Sequence, residues 1–362
     1  AASPDLSLLK DRHAKQPAII VSAGPSLRNT QPLLKRASDN AVLLAVQTTL
    51  QPLVEMGIEP DYVTSLDYHE ICSRFFEKLP PTLRTELVAE PKATSLVFDL
   101  NPGPLWLLSN PFSNDLLREM KQKRTALQSG ATVAHLAFYL AQHLGCDPII
   151  FVGQDLGFSD GLCYTPGTSY EDVWRPELGR FCTVETKQWE QISRDKPILR
   201  RIPDSQGRPM YTEERRYAYL QQFERDFLQS DRTVIDATEG GALKRGSKTM
   251  PLAQALSEYC NTNKTRGASA HPGLNWSHLP QVVECLSNRK QEAKEVEQIS
   301  SKTLPLLEEI RDHLSDQHRV NRVIGQIDML RGQMHQFNDT YQLITQLTQS
   351  TELDRFRADR KL

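Results

Sequence analysis

Net charge is nearly absent from this sequence: 43 Lys and Arg stand against 45 Asp and Glu, a formal balance of -2 over 362 residues. A chain without a basic excess has little to hold a polyanion, so nucleic acid and an anionic membrane surface are not expected partners. Long apolar runs are missing too. The longest are strand-sized, far below the ~20 residues of a membrane helix, and no charged-then-apolar leader opens the chain. It begins at Ala1 rather than Met, which leaves room for a preceding segment. The cysteines (Cys72, Cys146, Cys163, Cys182, Cys260 and Cys285) form no C-x-x-C pair, and no histidine cluster has zinc spacing. Reduced, mostly buried thiols, a cytoplasmic location and no bound metal are the expectation. There is no internal repeat and no low-complexity tract.

What is present is ordinary globular material, 39% hydrophobic and 24% charged, enough for one large domain and a smaller one. Ala18-Ile19-Ile20-Val21 reads as a buried strand ending in a Gly-Pro turn, and residues 27–37 read as a helix. The alternation continues with a strand at 41–46, a short helix at 49–56, a strand at 62–66 ending at Asp67, a further strand at 95–100, a helix at 131–144 and a strand at 148–153. Periodicity fades from 164 to 210, where Pro, Gly, Arg and aromatics accumulate as in a functional lid or acceptor loop. A polar helix at 213–228 and a strand at 233–235 follow. Such alternation predicts an α/β, Rossmann-like, mostly parallel sheet with helices on both faces, with ligands gathering at the carboxyl ends of the strands. Apolar residues at helical spacing beyond Leu279 predict a C-terminal helical bundle, a packing element or a surface for homo-oligomers. The domain reading is therefore 1–265 α/β, 266–278 linker and 279–362 helical.

The polar clusters all fall at those strand ends. Gly24-Pro25-Ser26-Leu27 sits where a helix N-terminus offers free N–H groups, Gly24 allows close approach to a ligand, and Ser26 caps the helix or donates. A capped turn without a ligand is the commoner meaning of such residues. Asp67 is suited to a ribose hydroxyl or to an acceptor, although a turn-capping role is commoner. His69 follows two residues on. Ser129 and Gly130 precede the next helix, and Gly153 and Asp155 close the strand after it. Gly240 and Gly241, with Lys244 and Arg245, supply flexible backbone and positive charge for an anion, or simply a solvated basic turn.

Taken together these blocks resemble the Maf, or motility-associated factor, glycosyltransferases and the wider group described as 6-hydroxymethylpterin diphosphokinase MptE-like. The likeness covers roughly residues 15–255, through Ile19-Ile20-Val21-Ser22-Ala23-Gly24-Pro25-Ser26-Leu27, Gly57-Ile58-Glu59-Pro60-Asp61 with Ser65-Leu66-Asp67, residues 145–156, and Ala237-Thr238-Glu239-Gly240-Gly241-Ala242. The same blocks are similar to bacterial sialyltransferases that use CMP-sialic acid. That resemblance implies that Ser22, Ala23, Gly24, Pro25, Ser26, Ser129, Gly130, Gly153 and Asp155 hold the nucleotide, and that Tyr164 contacts the leaving phosphate. Ser22 stands where those enzymes have the first glycine of the turn, no histidine in 181–187 matches their general base, and Asp236 replaces the usual Asn of the Maf pattern. Asp67 or His69 is left as the base.

The implied reaction is inverting transfer of a nonulosonic acid, of pseudaminic or legionaminic type, from its CMP conjugate to a protein hydroxyl, flagellin being the usual acceptor. Gly240, Gly241, Lys244 or Arg245 would meet the sugar carboxylate or phosphate, with the CMP-sugar as donor substrate and no cofactor. One alternative is the diphosphokinase chemistry, which needs ATP and Mg²⁺. Another is a non-catalytic module that binds a nucleotide sugar or flagellin.

Overall fold

The computed structural model describes residues 2–120, 124–128, 130–168, 170–194, 199–264 and 271–359. The chain divides into two compact units, one of residues 3–109 and 124–274, the other of residues 1–2, 110–123 and 275–362.

In the first unit the strands are β1 (Ala18–Val21), β2 (Val42–Val46), β3 (Tyr62–Ser65), β4 (Glu86–Ala89), β5 (Leu105–Leu107), β6 (Ile149–Val152), β7 (Leu199–Pro203), β8 (Pro209–Glu213), β9 (Val234–Asp236) and β10 (Lys248–Thr249). Eight of them form one sheet in the order β10-β9-β6-β1-β2-β3-β4-β5, with every pairing parallel. β7 and β8 make a separate antiparallel hairpin. The helices in chain order are α1 (Leu27–Ala37), α2 (Gln47–Glu55), α3 (Ser95–Leu100), α4 (Pro111–Leu116, in the second unit), α5 (Val133–His143), α6 (Tyr170–Trp174), α7 (Val184–Arg194), α8 (Glu214–Gln229) and α9 (Leu252–Tyr259).

Successive side chains of a strand point to opposite faces, and here both faces are apolar, which requires helices on each. Ile19, Val21, Leu43, Ala45, Ile150 and Val152 pack with Leu34 of α1, Leu50 and Leu53 of α2 and Leu252 of α9. Ile20, Val42, Leu44, Ile149 and Phe151 pack on the other face with Leu136 to Ala141 of α5 and with Phe223 and Phe227 of α8. The doubly covered parallel sheet expected from the alternation is what the chain forms.

Two local expectations are corrected. Residues 95–100 form α3 rather than a strand: only Val97 of that run is buried, while Leu96 and Leu100 are exposed, a one-sided pattern that a helical turn produces and a central strand does not. The strands beyond β3 are instead β4 and β5, with β5 at the edge. The stretch from 164 to 210, read as loop, contains α6, α7 and the first strand of the hairpin.

In the second unit α10 (Leu279–Asp312) packs against α11 (Gln317–Met334) and α12 (Asn338–Asp359). Arg118, just beyond α4, pairs with Asp339 at 2.7 Å, and Arg289 donates to Thr340 Oγ1 at 2.9 Å. Part of the expected linker, residues 266–270, lies outside the described residues. Among the described residues no helix is long and apolar enough to cross a membrane.

His135, on the first turn of α5, lies fully buried and stacks on Phe223 at 3.7 Å and 11°. Burial pushes its pKa down from 6.5 to about 3, so the fold keeps the ring neutral. Its contribution to stability is complete above the unfolded value of 6.5 and is lost as pH falls toward 3, because the unfolded chain takes up the proton first. Between pH 7 and pH 5 wild type should lose about 2 kcal/mol more than His135→Phe. Urea unfolding at the two values measures this, and equal losses would contradict it.

Candidate active site

The order of the sheet puts a switch point at β1: the chain runs outward through β2, β3, β4 and β5 on one side, then crosses to β6 on the other. The carboxyl ends of β1 and β6 are where an open α/β sheet leaves a crevice. A cleft of about 280 Å³ opens there. Its walls are Ser22, Ala23 and Gly24 after β1, Val46 to Thr48 at the start of α2, Asp67 after β3, residues 131–134 leading into α5, Gly153 to Leu156 after β6, Cys163 and Tyr164, and Glu213, Arg215, Arg216 and Tyr219 at the start of α8.

A buried carboxyl ties the loops together. Asp155 is 2% exposed, accepts from Ser26 Oγ at 2.7 Å and from Ser26 N at 3.3 Å, and accepts from Ser159 Oγ. Its backbone oxygen accepts from Ala242 N at 2.7 Å, which brings the loop after β9 to the same point. Burial raises the Asp155 pKa, against the lowering effect of the serine hydrogen bonds and of Lys244. Beside it Ser22 Oγ donates to Gln154 Oε1 at 2.5 Å and Gly24 N donates to Gly153 O at 2.8 Å. Gly153 has φ +65°, and a Cβ there would lie 2.2 Å from Ser22 O, so only glycine lets β6 turn against the first loop.

The residues singled out in the sequence separate into three groups. Ser22, Ala23, Gly24, Gly153, Asp155, Asp67 and Tyr164 line the cleft. Ser26, Gly240 and Gly241 line a neighbouring cavity of about 890 Å³ with Trp189, Met210 and Tyr211. Pro25 is buried and lines neither. Gly130 lies just before the 131–134 wall without lining it, and Ser129 lies outside the described residues. His69 is exposed, rests on the Tyr68 ring at 4.1 Å and does not line the cleft. Lys244, read as an anion ligand, is corrected: its side chain is 0% exposed and pairs with Asp236 Oδ2 at 2.9 Å, so its charge serves the core. Arg245 is 81% exposed beside Glu224 and does not line the cleft.

Asp67 accepts from Gln47 Nε2 at 2.7 Å, and Gln47 Oε1 accepts in turn from Ser65 Oγ at 2.6 Å. The carboxylate is thereby oriented by a chain of hydrogen bonds from two elements. The backbone around Tyr164 is pinned by Gln188 Oε1, which accepts from Cys163 N at 2.6 Å and Tyr164 N at 3.2 Å, and by Thr165 N donating to Ala23 O at 2.9 Å. Gln47, Thr48, Glu213, Arg215, Arg216 and Tyr219 are cleft residues that strand-end motifs did not reveal. They arrive on helix starts, and α8 looks merely polar in sequence.

Residues 2–161 match the family described as 6-hydroxymethylpterin diphosphokinase MptE-like. The likeness to the Maf and MptE-like group read from the motif blocks is borne out. Among solved structures the chain is similar to a Maf glycosyltransferase from Magnetospirillum magneticum AMB-1, at 15% identity and a TM-score of 0.56, over 94% of this chain and 52% of that one. The chain thus spans about half the length of that protein, and at this identity the likeness establishes the fold. No curated protein matches the sequence.

Gly24 was expected to leave room for a ligand, but the nearest neighbours are internal. A Cβ at this position would lie 2.0 Å from Asp155 Oδ2 and 2.4 Å from Gly153 O. Gly24→Ala should therefore destabilise the protein by about 1–3 kcal/mol through overpacking, before any ligand is added. A urea transition unchanged within about 0.5 kcal/mol would contradict this.

Proposed function

We propose that this chain is a glycosyltransferase that moves a nonulosonic acid of pseudaminic or legionaminic type from its CMP conjugate to a protein Ser or Thr hydroxyl, with flagellin as acceptor. The observation that carries the reading is the switch-point cleft itself, in which the Ser22 to Gly24 turn, the Gly153 to Leu156 turn, Asp67 and Tyr164 meet. The nucleotide would lie along the two turns, where backbone groups approach closely and the N-terminal ends of α2 and α5 favour negative charge.

Transfer of such a sugar develops oxocarbenium character at the anomeric carbon while charge builds on the departing phosphate. Two tasks follow: a donor at the leaving oxygen and a base at the acceptor oxygen. Tyr164 is assigned the first. Asp67 is assigned the second, because it lines the cleft and is held by Gln47, whereas His69 lies outside the cleft walls. Displacement from the face opposite the nucleotide would invert the anomeric centre. The donor brings its own leaving group, so the reading needs no cofactor or metal. Cysteines that are mostly buried fit a reducing, cytoplasmic setting.

A second reading is favoured by the description of the matching family. A diphosphokinase would transfer diphosphate from ATP to hydroxymethylpterin, with Mg²⁺ against cleft carboxylates such as Asp67 and Glu213 and the ATP phosphates. A thermal-shift series with CMP, a UDP-sugar, ATP with Mg²⁺, and hydroxymethylpterin separates the two. Stabilisation by CMP alone, with transfer that persists in EDTA, is expected. Stabilisation by ATP with Mg²⁺ and the pterin, with reversible loss of activity on chelation, would give the site to the diphosphokinase.

Tyr164→Phe keeps the ring and removes the hydroxyl. Its kcat should fall about 10²-fold with little change in donor KM, as for loss of one preorganised donor. Steady-state transfer to an acceptor protein at saturating donor measures it, after circular dichroism confirms the fold. A rate within about threefold of wild type would remove Tyr164 from the leaving-group role.

A further inference from the structure

Two guanidiniums and one carboxylate meet where α8 begins. Arg215 Nη2 and Arg216 Nε both donate to the same oxygen, Glu213 Oε1, at 3.2 and 3.3 Å. Glu213 is 8% exposed. Its single charge offsets one of the two cations, so the trio keeps one net positive charge on the wall of the cleft.

The remaining contacts of Arg216 hold its plane without neutralising it. Nη1 donates to the backbone oxygens of Cys163 at 3.4 Å and Gly157 at 3.5 Å, and the guanidinium lies over the Phe158 ring at 4.9 Å and the Tyr164 ring at 5.6 Å. Carbonyls and aromatic faces attract a cation but carry no charge of their own. Arg215 differs, its side chain being 72% exposed at the rim. Of the other acids of the cleft, Asp67 is held by the neutral amide of Gln47 and keeps its charge outside the trio, and Asp155 is met by Ser26 and Ser159. With Arg216 Nε committed to Glu213 and Nη1 to the two carbonyls, the plane is fixed and Nη2 is left to donate to phosphate or carboxylate oxygens beside the net positive charge of the trio.

We propose that Arg215 and Arg216 form an anion-binding arm of the cleft, with Arg216 fixed and Arg215 closing from the rim, which takes the phosphate or carboxylate oxygens of an anionic sugar nucleotide. The arm supplies the positive charge that Lys244 and Arg245 do not bring to the cleft. It rests on the reading of the cleft as a sugar-nucleotide site, and the test separates the two.

Calorimetric titration of the whole chain with CMP, cytidine, inorganic pyrophosphate and N-acetylneuraminate, at low and moderate salt, provides that test. In Arg215→Gln, CMP and pyrophosphate should bind about tenfold more weakly, cytidine should be unaffected, and the wild-type advantage should shrink with added salt. Arg216→Lys keeps the charge but not the fork, and should lose as much. If only N-acetylneuraminate binding weakens, the arm holds the sugar carboxylate and the proposal stands. Arg215 is exposed, so its variant carries the test even where an Arg216 variant fails to fold. Affinities of Arg215→Gln within about twofold of wild type for all three anions would overturn the proposal. Wild type that binds pyrophosphate through the arginines but not CMP would keep the arm and sink the CMP reading, and wild type that binds none of the four would overturn both.

Discussion

The buried carboxyl of Asp155 is the contact on which the site depends. It lies in the segment just after β6, where Ser26 of the turn after β1 and Ser159 of the same segment donate to its oxygens, while Ala242 of the loop after β9 donates to the backbone oxygen of the same residue. Removing a carboxyl from water is costly unless its oxygens are met by donors, and here a backbone N–H and two hydroxyls meet them. The glycines follow from the same constraint. Gly24 leaves space for the Asp155 carboxyl, Gly153 for the backbone of Ser22 and Gly241 for the backbone of Asp155. The clasp therefore sets the spacing of the turns that form the cleft floor. It also separates the cleft from the larger cavity beside Trp189, since Asp155 lines the first and Ser26 the second.

Two ion pairs of the first unit lie inside the fold. Lys244 and Asp236 neutralise each other inside the core at 2.9 Å, and Arg12 meets Glu86 at 2.9 Å near the opposite end of the strands. Breaking such a pair strands an uncompensated charge, so these residues hold the scaffold and are poor candidates for ligand contacts. On the α8 wall of the cleft two arginines share one glutamate, and that local imbalance lies beside the tyrosine assigned to the leaving group. Position and charge thus agree on where an anionic group would sit.

Much of the frame was legible in the sequence, because β-branched runs ending in Gly or Asp mark buried parallel strands and their ligand-bearing ends. Ile19 to Val21 and Ile149 to Val152 were read in this way. β4 was not, since it opens on Glu86, whose charge makes sense only once Arg12 and the Trp106 indole, donating at 2.6 Å, are seen beside it. Residues 95–100 looked like a strand because six residues are too few to tell helix from strand by periodicity. Lys244 looked like an available cation because nothing local reveals that its partner lies eight residues back, inside the core. Arg215 and Arg216 were overlooked for a related reason: the carbonyls and rings that orient Arg216 come from residues 157–164, more than fifty positions earlier. Strand-end motifs mark a crevice, whereas the helix that closes its side is fixed by tertiary packing.

The central claim is that the turns clasped by Asp155 form the floor of a nucleotide site. A crystal of the chain soaked with CMP tests it most directly, because position and ligand are read together. The expected result is CMP lying along Ser22 to Gly24 and Gly153 to Leu156, with its phosphate toward Tyr164 and Arg216. CMP bound in the cavity beside Trp189 and Tyr211, or no CMP in the cleft at saturating concentration, would contradict the account.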